Sequence, residues 1–213
     1  MRAIDLFSGT GSFTKVAREL GYRVTSYDNA PDSFGHGGHF RLSVMDVTPN
    51  TEPKVSVLWA SPPCTGFSIA AIGKSWDKKT GLPKSESARV GMMLMKRTIE
   101  IIALTQPDKW YIENPRGMMR KKIEPFLKAA GLNWVRHTVA YCQYGDTRQK
   151  PTDIWTNDLD WKPRPMCKPN RKGEPLRTCH VAAPRGSSAG TQGVKSARDR
   201  SIVPRELILE ILK

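Results

Sequence analysis

The sequence predicts an α/β fold built on a doubly wound, mostly parallel sheet, and three observations carry that reading. The chain opens on a strand over residues 2–7, a turn Ser8-Gly9-Thr10-Gly11-Ser12, and a helix over 13–20. That order is the nucleotide-binding opening of a doubly wound sheet, where glycines admit a ligand close to the backbone and a helix N-terminus faces it. Two apolar runs, residues 55–60 and 109–112, read as buried strands. Between them lies a helix that starts at Ser85-Glu86-Ser87 and ends near Leu104, before Gln106-Pro107.

The composition bounds the rest. A chain of 213 residues fits one domain with a small appended lobe, and a domain of this size buries about 70% of its unfolded surface, so its core needs no disulfide help. The formal charge of +14 and pI near 9.9 point to a polyanionic partner. Nucleic acid is the first candidate; no basic amphipathic helix speaks for a membrane surface. No stretch is long and apolar enough to cross a bilayer, and the first residues have no signal-peptide layout. Cys64, Cys142, Cys167 and Cys179 have no framework spacing, so reduced thiols in a cytoplasmic setting are expected.

Along the chain, Gly21 stands at the C-terminal cap of the first helix. A second strand over 22–27 ends in Asp28, where this architecture uses an acid to accept hydrogen bonds from ribose hydroxyls. A turn made by Asp28 toward Pro31 is the plain alternative. Residues 33–40, with His36 and His39, read as a loop whose histidines are incidental, and residues 42–45 lead to Asp46. Residues 69–84 read as a mobile basic lid, with Lys74, Lys78, Lys79 and Lys84 able to close on a phosphate backbone; a solvated loop is the plainer reading. Met92, Met93, Leu94 and Met95 belong to a core-facing helix. A helix over 118–130 is broken by Pro125 and stopped by Gly131; a strand over 134–142, a basic turn over 143–152 and a strand over 153–156 follow.

Three units are expected: a catalytic domain over 1–156, a small irregular basic lobe over 157–200, and a helix over 201–213 that begins at Pro204 and returns to the catalytic domain. Between Trp161 and Pro204 ten Lys or Arg stand against Glu174 and Asp199, a net +8 of the chain's +14. Prolines and glycines break regular structure there, and Trp161, Leu176 and Val181 are candidate anchors. A disordered basic tail is the alternative. Cys167, Cys179 and His180 lie in this lobe and Cys142 is a possible neighbour, but the spacing contains no Cys-x-x-Cys pair. No metal is therefore assigned.

The stretch that organises the chain is Ser61-Pro62-Pro63-Cys64-Thr65-Gly66. Two prolines stop the strand over 55–60 and stiffen the approach to a thiol at its carboxyl end, where ligands of open α/β sheets sit. Gly66 lets the following loop move. A buried structural cysteine is the bland reading. The strand over 109–112 delivers Glu113-Asn114-Pro115 to the same rim, where the carboxylate either works on a ligand or caps a helix.

Taken together, Ile4-Asp5-Leu6-Phe7-Ser8-Gly9-Thr10-Gly11-Ser12-Phe13, Ser61-Pro62-Pro63-Cys64 and Tyr111-Ile112-Glu113-Asn114-Pro115 resemble the DNA (cytosine-5)-methyltransferase family, in the family's order. The resemblance implies a class I S-adenosylmethionine-dependent methyltransferase sheet. It implies S-adenosyl-L-methionine as cofactor, held by Phe7, Ser8, Gly9, Thr10, Gly11, Ser12, Phe13, Asp28, Asn29, Asp46, Val47 and Pro62. It further implies Cys64 as nucleophile, Glu113 as the acid that holds the base, and Arg148 and Lys150 as a loose match to a basic Gln-x-Arg-x-Arg block. Thr152 stands where a second arginine is usual, Pro115 where the family has valine, and Arg200-Ser201-Ile202 where a Gly-Asn precedes the valine. The implied partner is double-stranded DNA, with no obligate protein partner. The compact form is that of phage and mobile-element or restriction–modification genes, in bacterial or phage-infected cytoplasm.

The chemistry fits these residue types. A thiolate adding at carbon 6 of cytosine makes carbon 5 nucleophilic, and a carboxyl that protonates or holds ring nitrogen 3 helps that addition. The base must first leave the duplex. An RNA cytosine methyltransferase, a non-catalytic DNA-binding relative and a donor of a larger group remain alternatives on sequence alone.

Overall fold

The computed structural model describes residues 1–31, 38–49, 53–167, 179–182 and 192–213. His36, Leu176 and half of the lobe's ten basic residues lie outside the described residues.

A seven-stranded sheet runs in the order β3-β2-β1-β4-β5-β7-β6. β1 (Arg2–Leu6) pairs in parallel with β2 (Arg23–Asp28) and β4 (Val57–Ala60), β2 with β3 (His39–Arg41), and β4 with β5 (Lys109–Pro115). β7 (Pro151–Thr156) is antiparallel to both β5 and β6 (Val135–Ala140). This is the doubly wound class I sheet that the sequence predicts. His39 is not incidental to a loop: it starts the edge strand β3, and its Nδ1 lies 3.2 Å from Ser26 Oγ.

Alternation along each central strand builds two cores. Ile4, Leu6, Leu58, Ala60 and Ile112 face α3 (Glu86–Thr105) and the short helices α4 (Met119–Lys122) and α5 (Glu124–Ala129). Ala3, Val57, Trp59 and Tyr111 face the other way, toward α1 (Ser12–Glu19) and α7 (Arg205–Ile211). Both faces of a parallel strand are buried, so its residues read as a continuous apolar run. Phe13 stacks on Trp59 at 5.6 Å, and Tyr111 meets the edge of Trp161 at 6.2 Å.

Three local expectations are corrected. Residues 118–130 form two helices, because Pro125 sits in the first turn of α5, where its missing N–H has no partner to lose. Residues 69–84 fold into a 3-10 turn (Ile69–Ala71), α2 (Ile72–Ser75) and a Trp76–Pro83 bridge. Trp76 is fully buried there, donates its Nε1 proton to the Gly66 carbonyl at 2.7 Å, and lies 5.1 Å beneath Lys122 Nζ. Gly66, read as a swivel, is fixed by space: a Cβ on it would lie 2.7 Å from Ala88 Cα and from the Ser87 carbonyl oxygen.

Residues 157–167 lie against the sheet and α7. Trp161 Nε1 donates to Glu210 Oε1 at 3.0 Å, and Arg164 bonds both Glu206 and Glu210. Val181 is exposed but donates its N–H to the Thr147 carbonyl at 2.8 Å. No helix among the described residues is long and apolar enough to cross a membrane.

Gly66→Ala tests the close approach. Overpacking of this kind costs about 1–3 kcal/mol, so the melting temperature falls; an unchanged melting temperature would show that the start of α3 yields freely.

Candidate active site

The rim begins where β4 ends. The Ser61 N–H donates to the Leu6 carbonyl at 3.2 Å and prolongs the parallel ladder by one bond. Pro62 and Pro63 then stop it. The Pro62 carbonyl accepts from Asn114 Nδ2 at 2.8 Å, and Asn114 is fully buried at the end of β5. The Cys64 carbonyl accepts from the N–H groups of Phe67 and Ser68, both at 2.9 Å, so the chain turns sharply after the thiol. Cys64 is partly exposed and opens into a cavity of about 1330 Å³ that Pro62, Glu113 and Lys150 also line. Burial pushes the Cys64 thiol up and the Glu113 charge adds to that, while Lys150 and Arg200 pull it down.

Glu113 is buried beside it. Its Oε1 accepts the Tyr141 hydroxyl at 2.8 Å and stands 4.0 Å from Lys150 Nζ. Burial and the Glu113 charge hold the Tyr141 phenol well above its ordinary value, so it stays a donor. Lys150 has φ 26, outside the comfortable region for a side-chain-bearing residue, and such strain concentrates at working sites. Its ammonium donates to the Arg200 carbonyl at 2.9 Å and lies 4.5 Å from the Tyr141 ring centroid. Burial lowers the Lys150 pKa, and the Glu113 charge opposes the shift.

Arg148 is placed differently from its partner in the basic turn. It does not line the cavity. Its guanidinium pairs with Asp146 and donates to the carbonyls of Asp199 at 3.0 Å and Ile202 at 3.1 Å. These bonds clamp the end of α6 (Ala197–Ser201) over the cavity, which Arg200, Ser201 and Val203 line. Thr152, at the place of the second arginine, is fully buried in β7 and caps the Lys150 carbonyl at 3.1 Å.

The other end of the cavity is the glycine turn. Phe7 has φ 62, a left-handed conformation that costs a side-chain-bearing residue about 1–3 kcal/mol. The next N–H, on Ser8, is directed onto the Tyr27 carbonyl at 3.1 Å. Gly9, at φ 47, donates to Asp28 Oδ2 at 2.9 Å, and Ala30 donates to Asp28 Oδ1 at 2.8 Å. Asp28 thus makes the plain turn and also braces the glycine loop, and each oxygen keeps a lone pair for a ligand hydroxyl. Of the residues that the resemblance assigns to the cofactor, Phe7, Ser8, Gly9, Thr10, Ser12, Phe13, Asp28, Asn29 and Pro62 line the cavity. Gly11, Asp46 and Val47 do not: Asp46 is exposed at the end of a 3-10 turn (Val44–Asp46), and Ser43 and the buried Val44 line the cavity there.

Asp5, Trp59, Tyr141 and Arg200 went unassigned in the sequence. Asp5 and Trp59 belong to strand runs that read as core, and Tyr141 and Arg200 reach the site through folding, with no local signal. Asp5 is buried at the cavity floor, accepts the Thr14 hydroxyl at 2.6 Å, and is raised by burial to about 7. Pro115, the departure from the usual valine, ends β5 opposite Thr152 and lines the cavity; the Arg116 N–H resumes the ladder on the Pro151 carbonyl at 2.9 Å.

Residues 1–130 match the family described as C-5 cytosine-specific DNA methylase. The chain belongs to that family. It is 32% identical over its full length, and over 99% of the relative's, to a Frog virus 3 (isolate Goorha) protein named "Probable DNA (cytosine-5)-methyltransferase". Among solved structures, an E. coli protein described as "putative DNA modification methyltransferase encoded within prophage Cp" is 18% identical with a TM-score of 0.52. The alignment covers 77% of this chain and 49% of that one. A Dnmt2 methyltransferase of S. pombe is 15% identical with a TM-score of 0.52, covering 77% and 52%. At these identities the likeness is one of fold, and this chain spans about half the length of those structures.

Two outcomes follow from the electrostatics. Lys150→Ala removes a charge that favours the thiolate, so the pH midpoint for alkylation of Cys64, read by peptide mass spectrometry, moves upward; an unmoved midpoint would show that the ammonium does not act on the sulfur. Asp5, raised in the folded state from 3.8 to about 7, contributes stability that is full below about 3.8 and lost as pH rises through about 7. Asp5→Asn should flatten the fall in melting temperature across that window, and an unchanged slope would remove Asp5 from the pH dependence.

Proposed function

We propose that the protein methylates carbon 5 of cytosine in DNA. The observation that carries this reading is the convergence of Cys64, Glu113 and Lys150 on the same cavity as the glycine turn and Asp28. Ser8 Oγ is a buried hydroxyl with no hydrogen-bond partner among the described residues, on the wall where a nucleoside would lie. Together with Asp28 and the apolar Phe7, this fits S-adenosylmethionine, which supplies the methyl group when bound.

Cys64 adds its sulfur to carbon 6 of a cytosine extruded from the duplex. Burial holds the thiol high, and the Lys150 charge, ahead of that of Arg200, favours the thiolate. Glu113 hands to ring nitrogen 3 the proton that the Cys64 thiol gives up, as the sulfur–carbon bond forms. Tyr141 fixes that carboxyl by its 2.8 Å hydrogen bond, so the group is aimed before the base arrives. Carbon 5, now enamine-like, receives the methyl group. Methyl transfer leaves the donor sulfonium as a thioether; water then takes the carbon 5 proton as Cys64 leaves as a thiolate, and ring nitrogen 3 returns its proton to Glu113. The basic residues between Trp161 and Pro204 form the DNA-recognition lobe in this reading, offsetting an unstacking cost of a few kcal/mol with phosphate contacts.

Incubation with DNA and labelled S-adenosylmethionine, then bisulfite sequencing, should place label on cytosine carbon 5. Cys64→Ala should abolish it, and DNA carrying 5-fluorocytosine should trap the wild type as a covalent adduct. Glu113→Gln should fold and bind DNA but turn over about 10²–10⁴-fold more slowly, the usual worth of general acid help. Label on RNA but not DNA, or full activity in Cys64→Ala, would overturn the reading.

A further inference from the structure

Away from the cavity, four side chains from three parts of the chain meet at one point. Cys142 lies in the 3-10 turn (Tyr141–Tyr144) that follows β6; Cys167 ends the described run that crosses the sheet by way of Trp161; Cys179 and His180 come from beyond it. Their ligand atoms all lie within 4.8 Å of one another. Cys167 Sγ is 3.4 Å from Cys179 Sγ and 3.6 Å from His180 Nδ1, and Cys179 Sγ is 3.3 Å from that nitrogen. A tetrahedron with Zn–S near 2.3 Å and Zn–N near 2.0–2.1 Å has edges of about 3.8 Å between sulfurs and about 3.6 Å between sulfur and nitrogen. The separations among Cys167, Cys179 and His180 are close to those edges, and Cys142 Sγ lies within 4.8 Å of each of the three.

We propose that Cys142, Cys167, Cys179 and His180 form a closed structural site for one zinc ion. Three thiolates and an imidazole are soft, borderline ligands that suit zinc and exclude calcium or magnesium. All four positions are filled by protein, which marks a structural rather than a catalytic site. The Cys142 sulfur also accepts from Gln143 Nε2 at 3.8 Å, a second layer of support for a metal-bound thiolate. A disulfide would use two sulfurs and give no reason for the third thiol and His180 to face the same point.

Packing says why a metal is needed. The local core is only Ala140, Cys142 and Cys167, with Met166 and Cys179 against it, and residues 161–167 form no helix or strand. So small a cluster cannot hold an irregular segment in place by burial alone, whereas metal binding contributes folding energy directly. The site also touches the turn that carries Lys150. Gln149 Nε2 bonds the Cys167 carbonyl at 3.5 Å, and the Val181 N–H bonds the Thr147 carbonyl at 2.8 Å. The metal would staple the basic segment to the active-site rim.

The test uses the full chain, purified under reducing conditions. Mass spectrometry of metals should find one zinc per chain that survives gel filtration in EDTA. Metal-free protein titrated with cobalt(II) should give the intense visible bands and thiolate charge-transfer band of a tetrahedral sulfur-rich site, lost when zinc is added. Cys64→Ala should keep both signatures, and Cys167→Ser and Cys179→Ser should lose them. Should those variants fail to fold, the cobalt spectrum of the wild type still decides. No retained metal and no such spectrum from reduced wild type, or a Cys167–Cys179 disulfide in metal-free native protein, would overturn the proposal.

Discussion

The buried hydrogen bond from Asn114 Nδ2 to the Pro62 carbonyl holds the site together. It joins the ends of two neighbouring parallel strands that the ladder no longer joins, because Pro62 and Pro63 offer no N–H. One side of the bond leads within two residues to the thiol, the other within one residue to the carboxylate. Without it the loop after β4 would be fixed only by its own turn, and the distance between sulfur and carboxylate would be set by chance. Proline stiffness and a single amide therefore act together: one removes backbone freedom and the other supplies the anchor.

The charged residues around this rim divide the work by what they touch. Lys150 faces inward, in contact with the Tyr141 ring and near Glu113. Arg148, two residues before it, faces the carbonyls at the end of α6. A guanidinium with several fixed donors suits a clamp on carbonyls, and a compact ammonium suits a local field at a sulfur. The same short turn thus supplies both, and Asp146 neutralises the arginine so that its charge is spent locally.

What was legible in the sequence was local. The strand, glycine turn and first helix follow from adjacent residues, as do the Pro-Pro-Cys rim and Glu113 at the end of an apolar run. Gly66 was misread because its constraint comes from Ser87 and Ala88, which a sequence does not place beside it. Residues 69–84 read as an open loop because their lysines are conspicuous, while Trp76, the large side chain buried there, is a single aromatic. Pro125 marked a break that lies two residues earlier, since it starts a helix as readily as it ends one. Tyr141, Arg200 and the meeting of Cys142 with Cys167 depend on chain crossings that no spacing rule encodes.

One of those crossings bears on how the protein is made. The Val203 N–H donates to Ser12 Oγ across a separation of 191 residues, and both line the cavity beside the glycine turn. A ribosome delivers the Ser12 side of this chamber 191 residues before the Val203 side. A nascent chain stalled in between carries the thiol and the carboxylate but an open chamber with one side missing. The order of translation itself keeps a half-made protein from presenting a finished pocket.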